Sequence, residues 1–343
     1  MTVGRARSGA RRPRGSLGPK LPVHVENDPE SPVDAITPER FQAAARRVPA
    51  LARRITVTFG AAFASRGGPL HSAEVLIASP VPPLDLATRA PHLRWIQSTS
   101  AGVEAVVPLV PSGVTLTNAS GVHGPKAAEY ALTALLMLNH RVPHFVTRQR
   151  QARWDPAYST VMAGKSVAVI GVGQIGAAVA RLALRFGLRV VGVRRSGRPA
   201  PGVERMYRPE QLPRILPHVD FVVVTTPLTA ETRGLLGRRE LDLLPRHAGL
   251  VNLGRGSIVD HDALREKLER HELAGAVLDA FPEEPLPAAS PLWSTPNLLI
   301  SPHCAIADEA VYARRCLDIF FDNLGRYLAG RPLRNRVDLS RGY

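Results

Sequence analysis

An arginine, a glutamate and a histidine that could act together in catalysis stand in three separated segments. These are NLGRGSIVD (252–260), LDAFPEEPL (278–286) and SPHCA (301–305), which contain Arg255, Glu284 and His303. Histidine changes protonation near neutral pH, so it can give or take a proton. A neighbouring carboxylate favours the charged ring and orients it, and arginine binds carboxylates through two donors. Each residue alone could be an ordinary surface or loop charge, but together they suit the reduction of a 2-oxo acid.

A glycine-rich turn between two apolar runs predicts a dinucleotide site. The turn follows Val167–Ile170 and opens a helix rich in Ala and Leu, and a second apolar run, Val190–Val193, ends about 20 residues later. In this motif the first glycine permits a tight turn, the second lets the backbone approach a pyrophosphate, and the third lets helix and strand pack closely. The cofactor-binding residues predicted here are Gly171, Gly173, Gln174, Ile175 and Gly176.

The residues after the second apolar run indicate which nicotinamide cofactor is preferred. An NAD site has an acidic residue there for the ribose 2′-hydroxyl, whereas this chain has Arg194, Arg195 and Ser196. Arginine binds phosphate through two donors, so these residues favour the 2′-phosphate of NADP(H). The alternative is that both arginines are solvated surface charges in an arginine-rich chain.

The elements that must position these residues alternate between short β-branched runs and helical segments, which predicts parallel α/β sheets. Thr37-Pro38-Glu39 should cap and open an early helix. Lys126–Asn139 and Asp262–Arg270 should be helical, and an amphipathic helix over Asp308–Leu328 should return to the first domain. The predicted strands are Val23–Val25, Ile55–Phe59, Val75–Ala78, Leu93–Ile96, Val114–Thr117, Val167–Ile170, Val190–Val193, Phe221–Thr225, Gly249–Leu253, Ala276–Asp279 and Leu298–Ser301.

Length and composition are those of a globular protein with two domains. The chain has 343 residues, of which 45% are hydrophobic and 21% charged, and no apolar run approaches the roughly 18 residues of a membrane span. Cys304 and Cys316 are too few for a disulfide scaffold or a thiolate zinc site, and no metal is expected. A reducing cytoplasm is the expected compartment.

The net charge of +15 could suggest nucleic acid, but its distribution argues against such a role. Residues 1–20 hold six basic side chains and no acid, and the remaining excess is spread along the chain rather than clustered. This first segment is rich in Gly, Pro and Ser and has no apolar core of a signal peptide. We expect a disordered basic tail over 1–20 and no membrane or nucleic-acid partner.

At these motifs the chain closely resembles the D-isomer-specific 2-hydroxyacid dehydrogenase family, over nearly everything after residue 20. The resemblance implies a catalytic arginine at Arg255, a glutamate at Glu284 and a proton-transferring histidine at His303. Glu283 is adjacent, but the acid of the family immediately precedes the proline. The resemblance further implies a nicotinamide carboxamide contact from Asp279, an adenosine-flanking loop TTPLT (225–229) with Thr226 and Pro227, and a substrate-carboxylate loop STSAGVE (98–104) with Ala101, Gly102 and Val103.

The resemblance also implies an architecture and an assembly. A Rossmann domain (119–304) would be inserted into a split, flavodoxin-like substrate domain (21–118 and 305–343), so that both domains are doubly wound parallel sheets. A homodimer would form largely through the cofactor domains. His123, in GVHGPK, would lie near the hinge with either a structural or a cleft role, and Trp154 and Trp293 would pack at the domain or dimer surface.

The activity expected from these features is NADP(H)-dependent reduction of a small 2-oxo acid, with glyoxylate and hydroxypyruvate as the family's commonest substrates of this kind. Formate dehydrogenases resemble the family but lack the glutamate, so Glu284 argues against that branch. A different class of function stays open, because some relatives are corepressor-like regulators that sense NAD(P)(H) with this fold. Turnover of a 2-oxo acid separates the two.

Overall fold

Two parallel β-sheets organise the computed structural model, which describes residues 19–28, 35–61, 68–79, 81 and 85–343. The predicted tail over residues 1–20 therefore lies almost entirely outside the described residues. The first sheet consists of β1 (Leu21–Asn27), β2 (Ile55–Ala61), β3 (Val75–Ser79), β4 (Trp95–Ser98) and β5 (Thr115–Thr117). Its strand order, β2-β1-β3-β4-β5 with every described pair parallel, is the flavodoxin-like doubly wound order.

The second sheet has the Rossmann order extended by one strand. Its strands are β6 (Ser166–Ile170), β7 (Arg189–Val193), β8 (Arg205–Tyr207), β9 (Phe221–Val224), β10 (Gly249–Asn252), β11 (Gly275–Leu278) and β12 (Leu298–Ile300). They pair in parallel in the order β12-β11-β10-β9-β6-β7-β8. The strands run in the same direction, but their order across the sheet reverses between β6 and β9. Every residue of β6 and β9 is buried, as expected for strands with helices on both faces. The predicted fold class is confirmed.

The helices cover both sheets, and some of them begin at a side-chain cap. They are α1 (Pro38–Arg47), α2 (Pro49–Ala52), α3 (Leu86–Arg89), α4 (Gly124–Asn139), α5 (Val142–Arg150), α6 (Gln174–Arg185), α7 (Leu212–Ile215), α8 (Arg238–Asp242), α9 (His261–Glu269) and α10 (Tyr312–Leu328). Thr37 caps α1, because its side chain accepts a hydrogen bond from the Arg40 backbone N–H. Within the described ranges, no helix is both long enough and apolar enough to cross a membrane.

The last helix, α10, packs on the first sheet and returns the chain to that domain. The Phe320 ring stacks on Trp95 of β4 with ring centroids 5.5 Å apart. Phe321 lies 5.5 Å from Phe41 of α1, and Leu324 is fully buried in the same apolar cluster. Strands β1 to β5 lie within the predicted segment 21–118, and α10 lies within 305–343. The exact domain boundaries stay a prediction.

Some elements differ from the sequence-based expectations. The fourth strand covers Trp95–Ser98 instead of Leu93–Ile96. The last helix starts at Tyr312 rather than Asp308, because residues 308–311 form a turn in which the Asp308 carbonyl accepts the Val311 N–H at 3.1 Å. Neither α5 nor β8 was predicted. Strand β8 escapes prediction because it has only three residues, RMY, with no recognisable periodicity.

Candidate active site

A cavity of about 1080 Å³ separates the two sheets and is lined by residues from both. It lies where the loops leave the carboxyl ends of the parallel strands, the usual ligand position in doubly wound folds, and it exceeds the volume of most sites for drug-sized ligands. The predicted site residues that line it are Ala101, Gly102, Gly171, Gly173, Gln174, Ile175, Arg194, Arg195, Ser196, Thr226, Pro227, Arg255 and His303. The other predicted site residues do not line the cavity; they are Val103, Gly176, Asp279 and Glu284.

A hydrogen bond joins Glu284 and His303 beside the cavity. Nδ1 of His303 donates to Oε2 of Glu284 at 2.6 Å, and the other carboxylate oxygen accepts the Phe281 backbone N–H at 2.8 Å. The glutamate is thereby held at both oxygens, and it fixes the orientation of the imidazole ring. The remaining ring nitrogen, Nε2, is the one left to exchange a proton with a bound molecule.

The segment that carries His303 is held from behind by a buried aspartate. Asp279 Oδ1 accepts the Ser301 hydroxyl at 2.6 Å and the Ala305 N–H at 3.2 Å, and the Tyr130 hydroxyl lies 2.8 Å from Ser301 Oγ. Burial raises the pKa of Asp279. These contacts bracket His303, whose backbone has a left-handed φ of 51°, a conformation that is costly outside glycine and frequent at functional sites.

The predicted role of Asp279, a contact with the nicotinamide carboxamide, stays a prediction. In this structure its side chain is 1% exposed, and its Oδ1 binds the His303 segment as described. The contacts observed here are those of a residue that positions the segment 301–305.

Arg255 reaches the cavity from the loop after β10 and meets the first domain there. A Cβ placed on Gly102 would lie only 1.6 Å from Nη2 of Arg255, so the guanidinium packs directly against the Gly102 backbone. Nε of Arg255 lies 3.1 Å from Oε1 of Glu104, and Nη1 donates to the Gly254 carbonyl at 2.9 Å. The arginine is thus oriented by the loop that was expected to bind the substrate carboxylate.

Gly256 brings the Arg255 loop next to the Glu284 loop. A Cβ at this position would lie 2.0 Å from the Phe281 carbonyl carbon and 2.3 Å from Pro282 N, so only glycine permits this approach. The three predicted catalytic residues follow three adjacent strands, β10, β11 and β12, and close packing of their loops keeps them together.

In the STSAGVE loop, Ala101 and Gly102 line the cavity and Val103 does not. The Val103 side chain is 2% exposed and packs in the apolar cluster of Val106 and Leu116. The Asn118 amide donates to the Ala101 carbonyl at 3.0 Å, which ties the loop to the end of β5. Val103 therefore anchors the loop through its side chain, and Ala101 and Gly102 present backbone to the cavity.

The glycine turn fits a dinucleotide. Gly171 has a φ of 99°, and a Cβ there would lie 2.6 Å from Thr226 N. A Cβ on Gly176 would lie 2.2 Å from the Gly171 carbonyl oxygen, whereas a Cβ on Gly173 would meet nothing within 4 Å. The first and third glycines thus permit close packing, and the second opens toward the cavity at the N-terminus of α6, where free amides and the helix dipole favour phosphate.

Two buried polar atoms beside the glycine turn lack a partner within the described part of the chain. They are Nε of Arg194 and Oγ1 of Thr226; Nη1 of Arg194 donates to the Val172 carbonyl at 3.3 Å. Buried polar groups are normally hydrogen-bonded, so these atoms indicate a polar ligand at this position. Pro227 belongs to the same wall, and its carbonyl accepts the Thr232 hydroxyl at 2.7 Å.

Arg195 and Ser196 are both exposed at the rim of the cavity. The guanidinium carbon of Arg195 lies 5.4 Å from the centre of the Tyr343 ring. Together with Arg194 these residues place two cations and a hydroxyl at the end of β7, which fits the 2′-phosphate of NADP(H).

Glu104 and Tyr343 line the cavity but were not singled out from the sequence, although Glu104 is the last residue of STSAGVE. For His123 both a structural and a cleft role stood open. His123 lines the cavity, its Nδ1 donates to the Ile306 carbonyl at 3.1 Å, and its ring lies 5.2 Å from Tyr312, so it joins the hinge to α10. Tyr343 lies well beyond the end of α10, and no sequence motif marks it.

The cysteines and acidic residues offer no metal centre among the residues that the structure describes. No group of three or more His, Cys, Asp or Glu side chains converges there. Cys304 is exposed and Cys316 is buried, and both are free thiols.

Comparison with known proteins identifies one family. The family model described as D-isomer specific 2-hydroxyacid dehydrogenase, NAD binding domain, matches residues 132–305. Glyoxylate/hydroxypyruvate reductase B from Pectobacterium carotovorum is 33% identical over 300 residues, which make up 84% of this chain and 93% of that protein.

Two solved structures have the same fold over almost the whole chain. A D-isomer specific 2-hydroxyacid dehydrogenase from Xanthobacter autotrophicus Py2, in complex with NADPH and MES, has a TM-score of 0.81 and 32% identity, covering 94% of this chain and 100% of that one. An NADPH-dependent glyoxylate/hydroxypyruvate reductase from Sinorhizobium meliloti, in complex with NADP and sulfate, has a TM-score of 0.78 and 27% identity at the same coverage.

Proposed function

Because the chain belongs to the D-isomer-specific 2-hydroxyacid dehydrogenase family, we propose that it is an NADPH-dependent reductase of glyoxylate, hydroxypyruvate or a similar small 2-oxo acid. The observation that carries this proposal is the Glu284–His303 pair, 2.6 Å between Oε2 and Nδ1, beside a cavity that also contains Arg255 and the glycine turn. The relatives from Pectobacterium and Sinorhizobium, which are named for this activity, support the substrate class.

His303 is the proposed proton donor for the substrate carbonyl oxygen. Glu284 holds Nδ1, so Nε2 carries the proton toward the cavity. When bound, the reduced nicotinamide supplies the hydride for the carbonyl carbon. The two oxygens of Glu284 accept from His303 Nδ1 and from the Phe281 N–H, and this contact orients the ring for proton transfer.

Arg255 is the proposed anchor of the substrate. Its guanidinium can hold the 2-oxo acid through two donors and stabilise the negative charge that develops on the carbonyl oxygen. The Gly102 backbone adjoins the Arg255 guanidinium, and Ala101 lines the same cavity, so this loop can receive the substrate carboxylate beside the arginine.

NADPH is the proposed cofactor, held by the glycine turn and by Arg194, Arg195 and Ser196. The partnerless Nε of Arg194 supports this assignment, as do the NADPH and NADP bound in the structures from Xanthobacter and Sinorhizobium. A single charge-assisted contact of roughly 1.5 kcal/mol gives about a tenfold preference in kcat/KM. Replacing both arginines with alanine should raise KM for NADPH and leave NADH nearly unaffected.

The test of the function is a panel of 2-oxo acids assayed with NADPH and with NADH, following the loss of reduced-nicotinamide absorbance. We expect turnover of glyoxylate or hydroxypyruvate with at least about tenfold higher kcat/KM for NADPH. Equal use of both cofactors would remove the assigned role of Arg194 and Arg195. Tight NADPH binding without turnover of any 2-oxo acid would instead favour the sensing regulator.

The proposed assembly is a homodimer formed through the cofactor domain. Between α5 and β6 lie three large side chains that are almost wholly exposed, Trp154 at 98%, Tyr158 at 89% and Val161 at 74%. Large apolar side chains exposed within one short segment are typical of an interface, and a second copy is the occupant that the family resemblance implies. The proposed compartment is a reducing cytoplasm, in which an exposed thiol such as Cys304 persists.

A further inference from the structure

The segment that follows α10 crosses from the first sheet to the far wall of the cavity. We call residues 335–343 the return segment. It is anchored to the first domain, since the Val337 N–H donates to the Leu116 carbonyl at 2.9 Å and the Val337 side chain is 4% exposed. The Asn335 side-chain amide donates to the Ser120 carbonyl at 2.8 Å. The return segment is therefore part of the first domain by its contacts.

The return segment ends at the cavity wall that belongs to the second sheet. Tyr343 lines the cavity together with Arg195, and the guanidinium carbon of Arg195 lies 5.4 Å from the Tyr343 ring centre. At this distance the cation is attracted to the ring face. The Tyr343 carbonyl also accepts the Asp338 N–H at 3.0 Å, which folds the segment back and holds the ring in place.

A carboxylate opposes this cation from a third loop. Glu231 lines the same wall; the Thr229 side-chain hydrogen bond lowers the pKa of Glu231, and the nearby Arg195 and Arg341 cations lower it further. An ionised carboxylate here would draw Arg195 away from an incoming phosphate. The Tyr343 ring counteracts that pull, because the guanidinium carbon lies over it at 5.4 Å and the cation is attracted to the ring.

We propose that Tyr343 is a specificity-determining residue of the cofactor site, which holds the Arg195 guanidinium in place to bind the 2′-phosphate. The first domain thus contributes to cofactor selection through the return segment. This inference rests on the proposed preference for NADPH. It adds a residue outside the cofactor domain to a site that the glycine turn and the end of β7 otherwise form alone.

The experiment compares two ligands that differ only in the 2′-phosphate, adenosine 2′,5′-bisphosphate and 5′-AMP, by calorimetry on the full chain. The unmodified protein should bind the bisphosphate at least about tenfold more tightly. Tyr343→Ala should weaken bisphosphate binding about three- to tenfold and leave 5′-AMP unchanged. Tyr343→Phe keeps the ring and should bind both ligands as the unmodified protein does.

Two further variants distinguish the contact between Arg195 and the Tyr343 ring from a general effect of packing. Leu339→Ala alters an exposed apolar side chain of the same segment, 41% exposed, and should change neither affinity. If the Tyr343 ring acts by holding Arg195, the double variant Arg195→Ala with Tyr343→Ala should lose no more bisphosphate affinity than Arg195→Ala alone. Thermal unfolding of each variant shows that the fold is retained.

The outcomes distinguish this inference from the proposal on which it rests. If the unmodified protein binds both ligands equally, the NADPH preference itself fails. If it discriminates but Tyr343→Ala discriminates as well, only the role of Tyr343 fails. An equal loss for both ligands in Tyr343→Ala would likewise overturn the specificity role, because packing alone would then explain the effect.

Discussion

Nδ1 of His303 lies 2.6 Å from Oε2 of Glu284, although the two residues follow different strands, β12 and β11. The contact depends on the Phe281 N–H, which holds the other oxygen of Glu284 at 2.8 Å, and on Asp279, which holds the residues on either side of His303. The proton-transferring group is thus oriented by Glu284 and by a loop that the buried Asp279 holds in place.

Glu284→Gln should lower kcat/KM for 2-oxo acid reduction while the fold is retained. Glutamine can still accept the Nδ1 hydrogen bond, but it lacks the charge that stabilises the protonated ring. Losing one charge-assisted interaction costs on the order of 1.5–3 kcal/mol, or roughly ten- to a hundredfold in rate. Steady-state kinetics on a variant whose thermal unfolding shows an intact fold measures the loss. Unchanged kcat/KM would mean that Glu284 is not the functional partner of His303.

Arg255→Lys should also lose most of the activity. Lysine keeps the charge but lacks the planar pair of donors, so the transition state loses about one charge-assisted hydrogen bond, roughly ten- to a hundredfold in kcat/KM. Steady-state kinetics with the best 2-oxo acid measures the effect. Full activity in the lysine variant would exclude Arg255 from the mechanism.

Glu104→Gln should lower KM for the 2-oxo acid about three- to tenfold with little change in kcat. The Glu104 carboxylate lies 3.1 Å from Nε of Arg255, where it partly neutralises the guanidinium and repels an anionic substrate; near a protein surface, charges a few ångströms apart interact by a few kcal/mol at most. Glutamine has the same length and can still accept from Arg255. A rise in KM would show instead that the charge of Glu104 is needed to hold the arginine in position.

His261 should make the protein less stable in mild acid. Burial lowers the pKa of His261 to about 4 from its ordinary 6.5, and neither ring nitrogen has a hydrogen-bond partner among the described residues. The folded state therefore keeps this ring neutral. Below pH 6.5 only the unfolded chain takes up the proton, so stability is lost as pH falls from about 6.5 toward 4, by on the order of 3 kcal/mol.

The matched variant for this effect is His261→Phe. It retains the edge-on ring contact with Phe281, 5.9 Å between centroids, and cannot titrate. Denaturant unfolding should find the two proteins similar at pH 7.5 and the variant more stable at pH 4.5. Parallel loss of stability in both proteins would assign the acid sensitivity to other groups.

Trp154→Ser should shift the chain from dimer toward monomer. Its side chain is 98% exposed in the single chain, so a dimer interface at this place would bury it. Truncating a buried interface aromatic typically costs 2 kcal/mol or more of binding free energy, about thirtyfold in the dissociation constant. Light scattering during size-exclusion chromatography at several concentrations measures the shift. Trp293→Ser is the comparison variant, since Trp293 is 47% exposed and its indole is bonded to the Pro287 carbonyl. A Trp154 variant that remains dimeric at low concentration would place the interface elsewhere.

The fold could be predicted in large part because its signals are local. The turn at Gly171, the cap at Thr37 and the buried β-branched strands each depend on a few consecutive residues. The order of the strands follows from doubly wound topology once those elements are known. The short strand β8 was missed because three residues without periodicity carry no such signal.

The residues of the site could be predicted only where a sequence motif identifies them. The arginine, glutamate and histidine stand at recognisable positions after three strands, and the structure places two of them on the cavity and the third directly behind His303. The contacts of Arg255 with Glu104 and of Arg195 with Tyr343 join parts of the chain far apart in sequence. They depend on how the two domains approach each other, which no local pattern encodes.

The stacking of Phe320 on Trp95 has a consequence for synthesis on the ribosome. Trp95 emerges early, but α10, which covers it, is translated only after the whole second sheet. We therefore expect the strands around Trp95 to keep an apolar face uncovered until α10 has been made, while residues 166–300 can already pair into the second sheet. Exposed apolar surface of this kind favours aggregation, so we expect the early segment to be the part of the nascent chain that depends most on chaperones.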